Sequence, residues 1–259
     1  MKFRITVLGS GTSSGVPTVG CSCEVCLSTD PRDKRLRPSI LVQYGDRNIV
    51  VDTTPDFRTQ ALRVNLSHLD AVVFTHAHAD HILGLDDVRP FNYQQRSHIP
   101  IYASAVTFDV IRRVFDYAFS TKPQLSTVPK LEVNIFEEAP FQVLGLPFEP
   151  IPLVHGTMVV YGFRIGNAAY LTDHGDIPES SLAKLHGLDV LFLDALRHKW
   201  HPTHSTLENS IATAKRLGAK RTYFTHMCHD LPHAETERSL PPGIFLAYDG
   251  LELEVSSEA

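Results

Sequence analysis

The chain has 259 residues, 43% of them hydrophobic and 20% charged, and a net charge of −5 with histidine neutral. That length builds one large domain with a sizeable core, and the composition is ordinary for a globular enzyme. A negative balance argues against a protein that coats nucleic acid, which needs a broadly basic surface, though it leaves room for a local basic patch.

Taken in chain order, strands are predicted over Phe3–Leu8, Ser39–Tyr44 and Asn48–Asp52, the last two joined by the turn signal Gly45-Asp46-Arg47. The run Phe3–Leu8 is too short for a signal peptide, and no stretch approaches the roughly 20 apolar residues of a membrane span. A cytoplasmic protein with no membrane partner is therefore expected. A helix follows over Asp56–Asn65, then a short strand, Asp70–Thr75, that ends where histidines begin. The next helix is Ala105–Tyr117. Ser120–Lys130, mostly polar with Pro123 and Pro129, reads as a mobile loop. Strands Phe148–Val154, Val159–Ile165 and Ala168–Leu171 lead to a helix over Pro178–Leu185, with Pro178 in its first turn. Strand Val190–Leu193, helix Thr206–Leu217 closed by Gly218, and strands Arg221–Thr225 and Leu251–Val255 complete the series. Strands in both halves with helices interspersed predict an α/β (α+β) protein, two mixed sheets face to face with helices outside, as one domain over 1–259.

The richest segment is Thr75-His76-Ala77-His78-Ala79-Asp80-His81. Alternation on an extended backbone sends His76 and His78 to one side, and Asp80 and His81 fall on the turn that leaves the strand. Imidazole and carboxylate suit zinc, manganese or iron. Four ligands in six residues are too many for one metal that also keeps an open position, so two metals sharing the cluster are expected. The further ligands they need stand at ends of apolar runs: His155 after Phe148–Val154, Asp173 just past Ala168–Leu171, and His226 after Arg221–Thr225. Any one of these alone reads as an ordinary half-buried residue; the three together with the cluster read as a metal centre.

Two other motifs stand out. Gly9-Ser10-Gly11-Thr12-Ser13-Ser14-Gly15-Val16-Pro17 lacks the Gly-Lys-Ser/Thr of a nucleotide-binding loop, and misses the dinucleotide spacing by one residue. A tight turn bringing backbone close to the metal cleft is expected instead. Cys21-Ser22-Cys23-Glu24-Val25-Cys26 places three thiols within six positions, which suits a structural zinc better than disulfides. Its fourth ligand could be Cys228 or His229, and spacing does not choose between them. Farther on, His198, His201 and His204 crowd one segment. His204 reads equally as a helix-start residue or as a proton donor. His198, His201 and His174 are expected to support the site or lie on the surface. Asp52 is placed to orient a metal-binding histidine. The basic run Arg32, Lys34, Arg35, Arg37 reads mainly as a solvated loop, with one or two members able to meet a substrate phosphate.

The sequence His-x-His-x-Asp-His after a strand, with His155, Asp173 and His226 in order, resembles the metallo-β-lactamase superfamily. The resemblance implies a four-layer αββα fold, one metal on His76, His78 and His155, a second on Asp80, His81 and His226, and Asp173 bridging them. Gly-Ser-Gly-Thr-x₂-Gly-Val-Pro followed by Cys-x-Cys-x₂-Cys is similar to the PhnP family, phosphodiesterases of the carbon–phosphorus lyase pathway. It continues to Tyr248-Asp249-Gly250-Leu251-Glu252-Leu253, and so covers nearly the whole chain. It implies a structural zinc on Cys21, Cys23, Cys26 and His229, His204 as general acid, and Asp80 and His204 as the catalytic pair. Two active-site Zn²⁺ or Mn²⁺ ions and one structural Zn²⁺ follow as cofactors.

The expected activity is hydrolysis of small cyclic phosphates or nucleotide-like phosphodiesters through a hydroxide bridging the two metals. A small phosphodiester is then the partner, nucleic acid is not expected, and relatives suggest a homodimer. Asp52-Thr53-Thr54-Pro55-Asp56-Phe57-Arg58 and the Thr-Asp-His-Gly-Asp around Asp173 depart from the carbon–phosphorus lyase pattern, so the resemblance does not carry the exact substrate. Two rivals share the centre. A tRNA 3′-processing endonuclease would want an inserted basic arm, and no long Gly/Pro/Lys-rich insertion is present. A lactonase or thioesterase has less use for the cysteine motif. A non-catalytic binding protein would have no need of seven metal ligands.

Overall fold

The computed structural model describes residues 2–121 and 126–256. The first half supplies strands β1 (Lys2–Gly9), β2 (Ser39–Tyr44), β3 (Arg47–Val51), β4 (Ala71–Val73), β5 (Ile99–Ala103) and β6 (Leu131–Ile135). The second supplies β7 (Phe141–Val143), β8 (Leu146–His155), β9 (Met158–Ile165), β10 (Ala168–Leu171), β11 (Val190–Asp194), β12 (Arg221–Thr225), β13 (Ile244–Leu246) and β14 (Glu252–Ser256). One sheet runs β14-β1-β2-β3-β4-β5-β6 and the other β13-β12-β11-β10-β9-β8-β7.

The period of two along each strand builds three apolar layers. On β3, Ile49 and Val51 face the space between the sheets while Val50 faces outward; on β4, Ala71 and Val73 face in and Val72 out. On β11, Val190 and Phe192 meet the first sheet, and Leu191 and Leu193 the outer helices. Both faces of these strands are covered, so they read as unbroken apolar runs. Helices Phe57–Arg63, Arg89–Gln95 and Ala105–Val114 contribute to the layer outside the first sheet. Glu179–Leu182 and Leu207–Leu217 do so outside the second. The result is the four-layer αββα sandwich. Each fully buried Leu, Ile or Phe contributes about 1.5–3 kcal/mol relative to exposure, so the long continuous inner layer fixes how the sheets register.

Several local expectations shift. β5, β6, β7 and β13 were not foreseen: Pro100 interrupts β5, Glu132 and Asn134 alternate with apolar residues on β6, and β7 and β13 have three residues each. The helix from Ala105 ends at Val114, and a 3₁₀ turn, Asp116–Ala118, continues it. Asp80 and His81 sit in a short helix, Ala79–Ile82, rather than on a turn. Pro178 caps its helix from outside. Within the loop expected over Ser120–Lys130, residues 122–125 lie outside the described residues. Thr206 and Gly218 bound the Leu207–Leu217 helix: the Thr206 hydroxyl accepts from the Asn209 N–H, and Gly218 takes φ 63°.

The topology gathers strand ends. β3, β4 and β5 are parallel in the first sheet, and β10, β11 and β12 in the second. β8 points the same way as β10, since each pairs antiparallel with β9. The carboxyl ends of β3, β4, β8, β10, β11 and β12 therefore open on one edge of the sandwich, the usual place for a site in an α/β sheet.

Candidate metal centre

Each of those ends delivers one polar segment: Asp52 after β3, His76 to His81 after β4, His155 at the end of β8, Asp173 beyond β10, Asp194 at the end of β11 and His226 after β12. Three of these residues, Asp52, Asp173 and His226, hold positive φ (66°, 58° and 58°). A non-glycine residue pays for that conformation, and such strain tends to collect at functional sites.

Two ligand groups share one residue. Ligand atoms of His76, His78, His155 and Asp173 lie within 4.8 Å of one another, as do those of Asp80, His81, Asp173 and His226. His76 Nε2 is 3.0 Å from His78 Nδ1 and 3.9 Å from Asp173 Oδ1. His81 Nε2 and His226 Nε2 each lie 3.2 Å from an Asp173 oxygen, and 3.4 and 3.7 Å from Asp80 Oδ2.

The outer nitrogens of His81, His155 and His76 are already engaged. His81 Nδ1 donates to Asp52 Oδ2 at 2.8 Å, and His155 Nδ1 donates to the Thr203 carbonyl at 2.9 Å. The Thr75 hydroxyl donates to Asp52 Oδ2 at 2.7 Å and lies 3.0 Å from His76 Nδ1. These contacts fix the imidazoles so that their Nε2 atoms face inward, the arrangement that presents neutral ligands to a metal.

These residues fit divalent metals. His81 Nε2 and both ring nitrogens of His226 are buried without a hydrogen-bond partner, although carboxylate oxygens stand close by. Inner nitrogens and oxygens converging off hydrogen-bond lines are what a shared cation satisfies. The electrostatics agree. Burial opposes charge on His226, yet Asp173 and Asp80 overcome it and hold its pKa up at about 10. His81 is also buried, and Asp173, Asp80 and Asp52 raise its pKa well above the ordinary value. Burial alone would raise the Asp173 carboxyl, but His226 and His81 hold it well below its usual range. A centre that favours positive charge against complete burial is one that attracts cations.

A third group, Asp194, His204 and His226, adjoins the second. His204 Nδ1 donates to Asp194 Oδ2 at 2.7 Å, and its ring stacks on His226 with centroids 4.6 Å apart. That bond engages Nδ1 and not Nε2. Asp194 was missed in the sequence, although it ends an apolar run just as His155 and His226 do. His198 pairs with Glu208 at the surface, His201 accepts from the Thr203 N–H, and His174 is buried, its backbone N–H donating to Asp194 Oδ2 at 3.2 Å.

The cysteine motif forms a separate cluster. Cys21, Cys23 and Cys26 Sγ lie 3.2, 3.4 and 3.4 Å from His229 Nδ1. Of the two candidates for the fourth position, His229 stands in this group; Cys228 Sγ instead accepts from the Asp230 N–H. A backbone hydrogen bond from Cys26 is the main influence that draws Cys23 down to about 7, while burial pushes Cys26 up to about 11. Three sulfurs and an imidazole nitrogen match the donor set of a structural zinc.

The basic run is not the solvated loop expected. Arg35 is fully buried, donating to the carbonyls of Cys228 and Leu231 at 2.9 and 2.6 Å and to Asp33 at 3.2 Å. Arg32 pairs with Asp30, Lys34 donates to the Cys26 carbonyl, and Arg37 pairs with Asp56. Each has a protein partner; of the four, Lys34 braces the cysteine cluster and Arg35 the Cys228–Leu231 segment. The glycine loop lies against the same segment: Met227 N–H donates to Ser10 O, and Thr12 N–H to Met227 O. A Cβ on Gly11 would stand 2.8 Å from Arg35, and one on Gly9 only 1.9 Å from the Arg37 carbonyl.

Comparison with known proteins agrees with this geometry. Residues 47–227 match the family described as beta-lactamase superfamily domain. A crystal structure of a diphosphatase from the PhnP family is 53% identical, with a TM-score of 0.93 and 98% of each chain covered. An octanoyltransferase of Porphyromonas gingivalis is 41% identical over 254 residues, covering 96% of this chain; the chain spans about half, 51%, of that relative. Ribonuclease Z of Mycobacterium bovis is 27% identical over 255 residues, covering 86% of this chain and 85% of that one. No helix among the described residues is long and apolar enough to cross a membrane. The chain belongs to the beta-lactamase superfamily, within it to the PhnP family, and carries a metal-dependent hydrolase centre.

Proposed function

We propose that this protein hydrolyses small phosphodiesters, cyclic or nucleotide-like, at two divalent metals held by His76, His78 and His155 on one side and Asp80, His81 and His226 on the other, with Asp173 between. The observation that carries this reading is that Asp173 belongs to both ligand groups while His204 stacks beside them. Bound there, Zn²⁺ or Mn²⁺ supplies the charge that activates a water near neutral pH and neutralises oxygens on phosphorus.

The protein side chains do the rest. Asp52, Thr75 and the Thr203 carbonyl hold the histidines in their ligating orientation. Asp194 fixes the His204 ring, so that Nε2 can deliver a proton to the departing oxygen. Asp80, turned toward both His81 and His226, orients the attacking water as well as serving as ligand. Cys21, Cys23, Cys26 and His229 would hold a structural Zn²⁺ remote from the chemistry.

The diphosphatase relative supports attack at phosphorus, since a diphosphate and a diester are cleaved by the same kind of displacement. Ribonuclease Z, at 27% identity, keeps an RNA-processing reading open. We do not carry acyl transfer over from the octanoyltransferase, because the chain spans about half of that protein. Assay of metal-loaded protein on a 2′,3′-cyclic nucleotide, a pre-tRNA, a lactone and a thioester separates the readings. Turnover of the cyclic nucleotide is expected; turnover of only pre-tRNA, or only a carbonyl substrate, would overturn the proposal.

A further inference from the structure

A cavity of about 590 Å³ opens directly beside His76 and His78, within the usual size range for small-molecule sites. Its floor is Phe136, which is 5% exposed and stacks on Phe141 at 4.9 Å and edge-on against Tyr161 at 5.3 Å. Its walls come from two directions. Val106 and Val110 belong to the Ala105–Val114 helix, and Met158 and Val159 start β9. The β9 wall is tied to the metal cluster by backbone, since the Tyr161 N–H donates to the carbonyl of Thr75, next to His76.

Two features of this cavity are unexplained by the metal centre. Val106 and Val159 are 77% and 61% exposed, although they flank a cleft rather than a core. The charged side chains that line it are Glu137 and Glu138; no lysine or arginine does so among the described residues. An apolar wall gains from burying an apolar group, and an acidic rim repels an anionic one. His204 lies on the other side of the cluster, packed against His155 and His226.

The geometry points to an uncharged apolar group, attached to the phosphate and retained on phosphorus when the other ester oxygen leaves, as the occupant of this cavity. The inference rests on the proposed phosphodiester hydrolysis and narrows its substrate class. The oxygen that takes the His204 proton lies on the far side, so the cavity receives the arm that stays. A flat aromatic ring or a short alkyl chain fits the walls; a second phosphate or a carboxylate arm meets Glu137 and Glu138. This apolar arm, rather than a cationic clamp, sets specificity.

The test is calorimetric titration of the metal-loaded protein with methylphosphonate, hexylphosphonate, phenylphosphonate and 2-carboxyethylphosphonate, which share one headgroup and differ in the arm. Hexylphosphonate is expected to bind about thirtyfold tighter than methylphosphonate, from half-burial of the added methylenes. Phenylphosphonate should gain similarly, and the carboxylated arm should bind more weakly than methyl. In the double variant Val106→Glu, Val159→Glu, at two exposed positions, the hexyl-to-methyl ratio should fall to about one. Equal affinity for methyl and hexyl in the parent protein, a ratio that survives the double variant, or binding of none of the four would each overturn the inference. Turnover of methyl p-nitrophenyl phosphate is scored separately. Its absence alongside tight hexylphosphonate binding removes the hydrolase reading and leaves the cavity assignment. Its presence with indifferent phosphonate binding does the reverse.

Discussion

Asp52 Oδ2 accepts from His81 Nδ1 at 2.8 Å, with both side chains fully buried. The same carboxylate also takes the Thr75 N–H at 2.9 Å and its hydroxyl at 2.7 Å. One residue past β3 thus sets the ring of His81 and, through Thr75, that of His76. Asp52→Asn should keep the fold and weaken active-site metal affinity by ~10–100-fold. Competition with a chromogenic chelator reads this directly; unchanged affinity would remove Asp52 from the design of the centre.

His204 and Asp194 make a prediction that depends on the leaving group. His204→Asn should slow a diester with a poor alkoxide leaving group by ~10²–10⁴ in kcat. It should slow a p-nitrophenyl ester far less, because that oxygen leaves without a proton. Asp194→Asn should follow the same pattern more mildly. Equal losses on both substrates would mean that His204 positions or ligates and does not donate.

The cysteine cluster should separate from catalysis. Cys23→Ser is expected to cost one equivalent of zinc and to lower Tm by several degrees, as loss of a structural metal does. The surviving folded protein should keep its active-site metals and its kcat. Loss of all metal together would show that the clusters are coupled through the His226–His229 segment.

Arg35 offers a stability test. It joins Asp33 to the carbonyls of Cys228 and Leu231 inside the protein. Arg35→Met leaves a buried carboxylate and two carbonyls without their partner, a loss of roughly 3–5 kcal/mol in urea unfolding. Arg35→Lys should rescue little, since an ammonium cannot span that fork. A change below ~1 kcal/mol would mean that water replaces the guanidinium.

The layers and the positions of the clustered His and Asp side chains were legible in the sequence because both rest on apolar runs. β3, β4, β10, β11 and β12 are covered on both faces, so their sequences are continuous and their ends conspicuous. His155 and His226 were found by that rule, and Asp194, one residue past a recognised run, could have been. What was not legible depends on tertiary context. Arg35 sits in a run of cations that looks solvated, and only the return of Cys228 and Leu231 across the chain buries it. Asp52, Asp173 and His226 hold positive φ, and no local pattern signals it. The choice of His229 over Cys228 is a matter of direction: adjacent residues point apart, and Cys228 is held by its own backbone bond to Leu196.

The central claim is that Asp173 holds two metals and that both are needed to cleave a phosphodiester. Elemental analysis of purified parent protein and of Asp173→Ala, paired with turnover of bis(p-nitrophenyl) phosphate, tests it most directly. The account predicts about three metal equivalents in the parent protein, one of them structural zinc, and loss of active-site metal and turnover in the variant. Full turnover by parent protein retaining only the structural zinc, or by an Asp173→Ala variant, would contradict it.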